Sequence, residues 1–247
     1  MDVIAGYSIA AVLAALAAAF GSAFVRGLTG FGMAILIVPI LALALSPVHA
    51  VLVTNFLSVF IGVSEIRRLL REAERSAWFI IAMVAVTTPV GLYALSLTTP
   101  AIARVVIAFI ALSAFVAILL PRRRAAHHHP ATTGGVGLLS GLMTGYAGMP
   151  GPPVVPYYVG RAIPRETAKA SMMLIFTIAA GAGLVSGAAL GILAWRLPLL
   201  AALLFPAVLL GNWLGDRAAG QIGDALWRGV VGVILGGAAL AALLRLL

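Results

Sequence analysis

The feature that most constrains this chain is a repeat. Pro39, Pro47, Trp78 and Pro89 return as Pro156, Pro164, Trp195 and Pro206, each 117 residues later, and Thr54 returns as Ser171 at the same offset. A glycine cluster precedes each first proline. The first runs Gly27-Leu28-Thr29-Gly30-Phe31-Gly32, the second Gly145-Tyr146-Ala147-Gly148-Met149-Pro150-Gly151. The chain therefore consists of two copies of one unit. Hydrophobic segments interrupted by Gly and Pro at corresponding places in two halves are a pattern of secondary transporters, and they point to the binding site.

Composition says where such a unit can fold. Hydrophobic residues make up 63% of the chain and charged residues 9%, against about 25% charged in soluble domains. Too little polar surface exists to cover a water-soluble globule. Long apolar runs between short charged loops imply a polytopic helical membrane protein. The net charge of +9 fits arginine-rich cytoplasmic loops (Arg67, Arg68, Arg71 and Arg75; Arg122 to Arg124) rather than a nucleic-acid partner. The absence of cysteine excludes disulfides, thiolate metal sites and Cys catalysis. The run Val3–Val25 has no Lys or Arg ahead of it and reads as a retained membrane segment, not a signal peptide.

Candidate membrane segments are 3–25, 31–45, 48–66, 77–97 and 101–120, then 134–149, 152–160, 166–190, 195–215 and 224–246. A span needs about 20 residues. Segments 31–45, 134–149 and 152–160 fall short, and each adjoins a glycine cluster. Each half thus opens with a broken or re-entrant pair and continues with three spans, giving eight to ten membrane segments in all. An odd unit followed by a second odd unit inverts it. The charges agree: loop 67–75 carries four Arg while its equivalent near 184–192 carries none, and Arg161, Arg165 and Lys169 flank Pro164 while only His49 flanks Pro47. The positive-inside rule then puts 67–75, 121–130, 161–169 and 216–223 in the cytoplasm and both termini in the periplasm. The expected organisation is one domain over 1–247, with repeats at about 3–120 and 134–246 joined by the cytoplasmic loop 121–133.

The glycine clusters are the first candidates for chemistry. Helix N-termini opening on such a cluster offer free N–H groups and a favourable dipole to an anion, and both clusters are expected to face one midplane point. Thr54, Asn55 and Ser171 are small polar residues on apolar helices, able to reach substrate oxygens or to bond back to their own helix. Thr177 and Asn212 are weaker candidates of this kind. Arg26 abuts the first cluster and could serve as a counter-charge; Arg26 and Arg104 could also snorkel to the interface. Carboxylates are confined to loops and helix ends, so no buried proton relay is visible, and Glu65 has Arg68 at i+3 as an ordinary partner. The run His127–His129 lacks the spaced, mixed ligands of a metal site and reads as a solvated tract. Gly183, Gly187 and Gly191 fit close helix packing.

The two stretches resemble the paired signatures of the sulfite exporter TauE/SafE family, also called the four-TMS toluene sulfonate uptake permease family. The first is Gly27 to Gly32 through Pro39 and then Ala50 to Asn55; the second is Gly141 to Pro153, continuing to Pro156 and Ser171. The resemblance covers nearly the whole chain. It departs from the commonest pattern in having Gly-Phe-Gly in the first cluster and Met149-Pro150 inside the second. It implies a multi-pass transporter of the bacterial inner membrane, exporting sulfite, sulfoacetate or another organosulfonate. By position, the substrate would lie among Gly30, Phe31, Gly32, Thr54 and Asn55 of one half and Gly148, Met149, Gly151, Pro152 and Ser171 of the other, with Arg26 added as the counter-charge read above.

The expectation is an all-α carrier working by alternating access at a midplane site, not an enzyme, with no metal and no cofactor. Its expected partners are a small anion and the bilayer, without nucleic acid; a homodimer is left open. An anion channel, or a carrier for another small carboxylate or oxyanion, is the alternative.

Overall fold

A computed structural model of the chain describes residues 3–4, 7–119 and 129–218, with 233 and 244. Nine helices run through them: α1 (Ile9–Thr29), α2 (Met33–Ala44), α3 (Pro47–Glu72), α4 (Arg75–Leu97), α5 (Pro100–Leu119), α6 (Pro130–Ala147), α7 (Gly151–Val159), α8 (Arg165–Ala189) and α9 (Arg196–Ala218). Among the described residues, α1, α3, α4, α8 and α9 are long and apolar enough to cross a membrane. At 1.5 Å per residue, the 12-residue α2 and 9-residue α7 cannot span about 30 Å of hydrocarbon.

Local sequence sets these ends. Ser8 and Ser46 cap α1 and α3, accepting from Ala11 N and His49 N, each at 3.3 Å, and Pro47 occupies the first turn of α3, where its missing N–H costs nothing. The first helix of each half closes alike. Gly30 ends α1 at φ 83° and Gly148 ends α6 at φ 65°, a left-handed conformation open to glycine at no steric cost.

Two expectations are corrected. In the segment beginning at residue 3, the described residues ahead of Ile9 are not helical, because Val3–Ile4 and Tyr7–Ser8 form a short antiparallel ladder. The arginine-rich loop 67–75 is helix through Glu72, leaving Ala73 and Glu74 between α3 and α4; Arg68 pairs with Glu65 and Glu72 along this last turn. His129, expected in a solvated tract, is exposed and also caps α6, its Nδ1 accepting from Ala131 N at 3.2 Å. The segment 224–246 apart from 233 and 244, most of the linker 121–133, and His127 and His128 lie outside the described residues.

Glycines decide how the helices meet. A Cβ on Gly27, Gly211 or Gly215 would overlap backbone across the α1–α9 seam, and one on Gly91, Gly141 or Gly145 would do so across α4–α6. Close backbone approach of this kind replaces the hydrophobic drive that lipid cannot supply. Contacts climb together in both seams: Phe20 meets Gly211 and Phe24 meets Gly215, while Val84 meets Gly141 and Gly91 meets Gly145. Those pairs are parallel. Across α3–α8 the order reverses, Leu52 meeting Gly187, Asn55 meeting Gly183 and Gly62 meeting Thr177. The first helix of each half thus packs along the fourth of the other half, and the two third helices cross antiparallel between them.

The two short helices are buried. Ile37, Val38 and Leu41 of α2 are fully buried in one cluster, and Val154 and Tyr158 of α7 lie in a second with α8. Outer faces are apolar and open, Val86 being 67% and Phe109 71% exposed, as lipid contact requires.

Candidate anion-binding site

A cavity of about 50 Å³ lies where α1 breaks into α2, against α3, α7 and α8. Of the sequence candidates, Arg26, Phe31, Gly32, Asn55, Gly148 and Gly151 line it. Gly30 faces an adjoining vestibule instead. Thr54, Met149, Pro152 and Ser171 are outside its lining. Thr54 Oγ1 donates to Ala50 O at 2.8 Å and Ser171 Oγ to Thr167 O at 2.7 Å, so the repeated hydroxyl pair bonds back to its own helices. Ser171 also accepts from Glu74 N at 2.8 Å, tying α8 to the α3–α4 turn. Met149 is fully buried in the core.

The break itself is built from three residues. Gly30 and Gly32 stand at φ 83° and 97° on either side of Phe31. Thr29 Oγ1 donates to Phe31 O at 2.8 Å and receives its N–H at 3.3 Å. This clamp turns the chain between α1 and α2 and points the start of α2 at the cavity. Gly32 has no side chain to cap α2, and the first helical bond is Leu36 N to Gly32 O at 3.3 Å. The N–H groups of Met33, Ala34 and Ile35, all lining residues, are therefore the orphan donors of a helix start.

The second cluster does not mirror this. α7 begins Gly151-Pro152-Pro153 after Pro150, and proline has no N–H. Of its first three residues only Gly151 keeps a donor, and Pro150 O already accepts from Ser140 Oγ at 2.8 Å. The expected pair of facing helix N-termini is thus one donor-rich end and one wall.

Asn55 completes the donor side. It is 2% exposed, and its Nδ2 finds no hydrogen-bond partner among the described residues. Such a buried orphan costs about 1–3 kcal/mol, which an oxygen acceptor in the cavity would relieve. Its amide fits only because α8 carries glycine opposite: a Cβ on Gly183 would overlap Nδ2. The converse pair is Thr177 against Gly62, and Thr177 also lines the cavity. Ser58, one turn beyond Asn55, joins it; its i+3 spacing was a usable signal. Apolar Ile61, Met173 and Phe176 supply much of the rest.

Arg26 stands at the edge, shared by cavity and vestibule. Its Nη1 donates to Asn212 Oδ1 at 2.9 Å, and no carboxylate pairs with it among the described residues. Arg104 has another task, its Nε donating to Ala42 O at 2.6 Å in the last turn of α2, where a cation complements the dipole.

Comparison with known families meets this geometry. The sulfite exporter TauE/SafE family model matches residues 14–242. The chain belongs to that family. No curated protein and no solved structure matches it. TauE/SafE membership and the apolar helices make this a membrane protein of a transporter family. The matched span takes in both glycine clusters and every lining residue of the cavity.

Proposed function

We propose that this TauE/SafE protein is a secondary transporter exporting sulfite, or a related small sulfur-containing oxyanion, across the bacterial inner membrane. The carrying observation is the unpartnered Asn55 amide in one small cavity with three orphan N–H groups of α2. Donors without acceptors, beside an arginine that makes no ion pair among the described residues, suit an anion. Size favours the smaller candidates: about 50 Å³ corresponds to roughly three to five water positions, at about 10–15 Å³ each. That suits an inorganic oxyanion better than sulfoacetate.

Alternating access between two inverted halves is the mechanism we favour. It is supported by the parallel α1–α9 and α4–α6 seams around an antiparallel α3–α8 crossing, the relation expected of halves turned about an axis in the membrane plane. Rocking would occur around the glycine breaks. Transport of labelled sulfite by the full chain in proteoliposomes tests the reading. Uptake should be accelerated by sulfite on the opposite side and lost in Asn55→Ala. Flux without trans-stimulation would indicate a channel; no sulfite flux under any gradient would sink the proposal.

A further inference from the structure

Outside Phe31 lies a second cavity, of about 720 Å³, lined by Arg161, Arg165 and Lys169 together with Thr29 and Tyr158. No carboxylate lines it. Arg161 is held by Glu74 and Arg165 is exposed. Lys169 differs from both. Its stem runs within 3.2 Å of where a Cβ on Gly30 would stand, and among the described residues its ammonium has no ion pair. It also lines the vestibule, whose other charges are Arg26, Arg68, Glu65 and Asp216. Within that vestibule Arg68 is paired with Glu65.

Two side chains link these spaces to the inner cavity. Phe31 lines the inner and the outer cavity, and Arg26 lines the inner cavity and the vestibule. An anion crossing from the basic mouth to Asn55 on the Phe31 side passes Lys169 and then Phe31, while one entering from the vestibule passes Lys169 and then Arg26. We propose that Lys169, seated over Gly30, forms an outer binding subsite for the transported anion, separated from the inner site by the Phe31 ring. The inference rests on the export reading and adds a second station to it. A cation without an ion pair among the described residues, set in a mouth that Arg161 and Arg165 also line, concentrates anions and raises their entry rate, and Phe31 stands between the two stations. Gly30 has a reason beyond its φ of 83°, since a side chain there would displace the Lys169 stem.

The test is calorimetric titration of sulfite into the purified full-length chain at low ionic strength. Wild type should bind two anions per chain. Lys169→Gln should bind one, Lys169→Arg two, and Asn55→Ala only the weaker, salt-sensitive one. The arginine variant separates loss of charge from loss of fold. In proteoliposomes, Lys169→Gln should raise KM about three- to tenfold with kcat unchanged, and the difference should vanish near 1 M salt, where the Debye length is about 3 Å. One anion in wild type, or two in Lys169→Gln, overturns the outer subsite and leaves the export reading intact. No sulfite binding by wild type overturns both.

Discussion

At the scale of residues, the site turns on which polar atoms are already spent. Thr54 and Ser171 are equivalent by position, yet their hydroxyls bond to their own helices. Asn55, one residue from Thr54, keeps its donor. Sequence exposes the residue types but not this bookkeeping, because a hydroxyl can reach the i−4 carbonyl and an asparagine amide is held off by neighbours on another helix. The diproline after Gly151 was legible, since proline lacks an N–H wherever it stands. Asn55→Ala should weaken sulfite binding about 10- to 100-fold, the loss of a hydrogen bond to a charged group of about 1.5–3 kcal/mol. Its thermal stability should be unchanged or higher, because a buried orphan disappears. Gly183→Ala should lower both affinity and melting temperature by pressing on the amide. In the double variant the stability loss should be less than additive, which a double-mutant cycle in titration and melting reads directly.

At the scale of elements, three segments beside the glycine clusters, 31–45, 134–149 and 152–160, read as short; α2 and α7 have 12 and 9 residues, while α6 starts earlier and reaches 18. Helix ends were harder to read. The arginines of 67–75 look like a loop in hydropathy, but carboxylates at i−3 and i+4 from Arg68 carry α3 through Glu72. The packing role expected of Gly183 and Gly187 agrees with their places against Asn55 and Leu52, whereas nothing lies within 4 Å of a Cβ on Gly191. Which helix each seam would meet was not readable, since spacing gives a face and not its partner. The seams predict a contrast. Gly27→Ala and Gly145→Ala place a methyl against backbone and should each cost about 1–3 kcal/mol. Gly21→Ala, on the same helix as Gly27 with nothing within 4 Å, should gain up to about 1 kcal/mol of helix propensity. Thermal unfolding in detergent should rank the three accordingly.

At the scale of the whole molecule, orientation can be read with single thiols, because the chain has no cysteine. Arg165 begins α8 and Leu190 follows its end. An impermeant maleimide added to intact cells should label Leu190→Cys and spare Arg165→Cys until the membrane is opened; the reverse pattern would contradict a cytoplasmic basic face. The glycine seams carry a further, evolutionary consequence. Any change in the first or second base of a glycine codon adds a side chain or ends the protein. At Gly27, Gly91, Gly141, Gly145, Gly211 and Gly215 even a methyl meets backbone. Ile61, Met173 and Phe176 around the cavity face no such barrier. Descendants of this chain are thus free to drift in what they carry while the frame that carries it stays fixed.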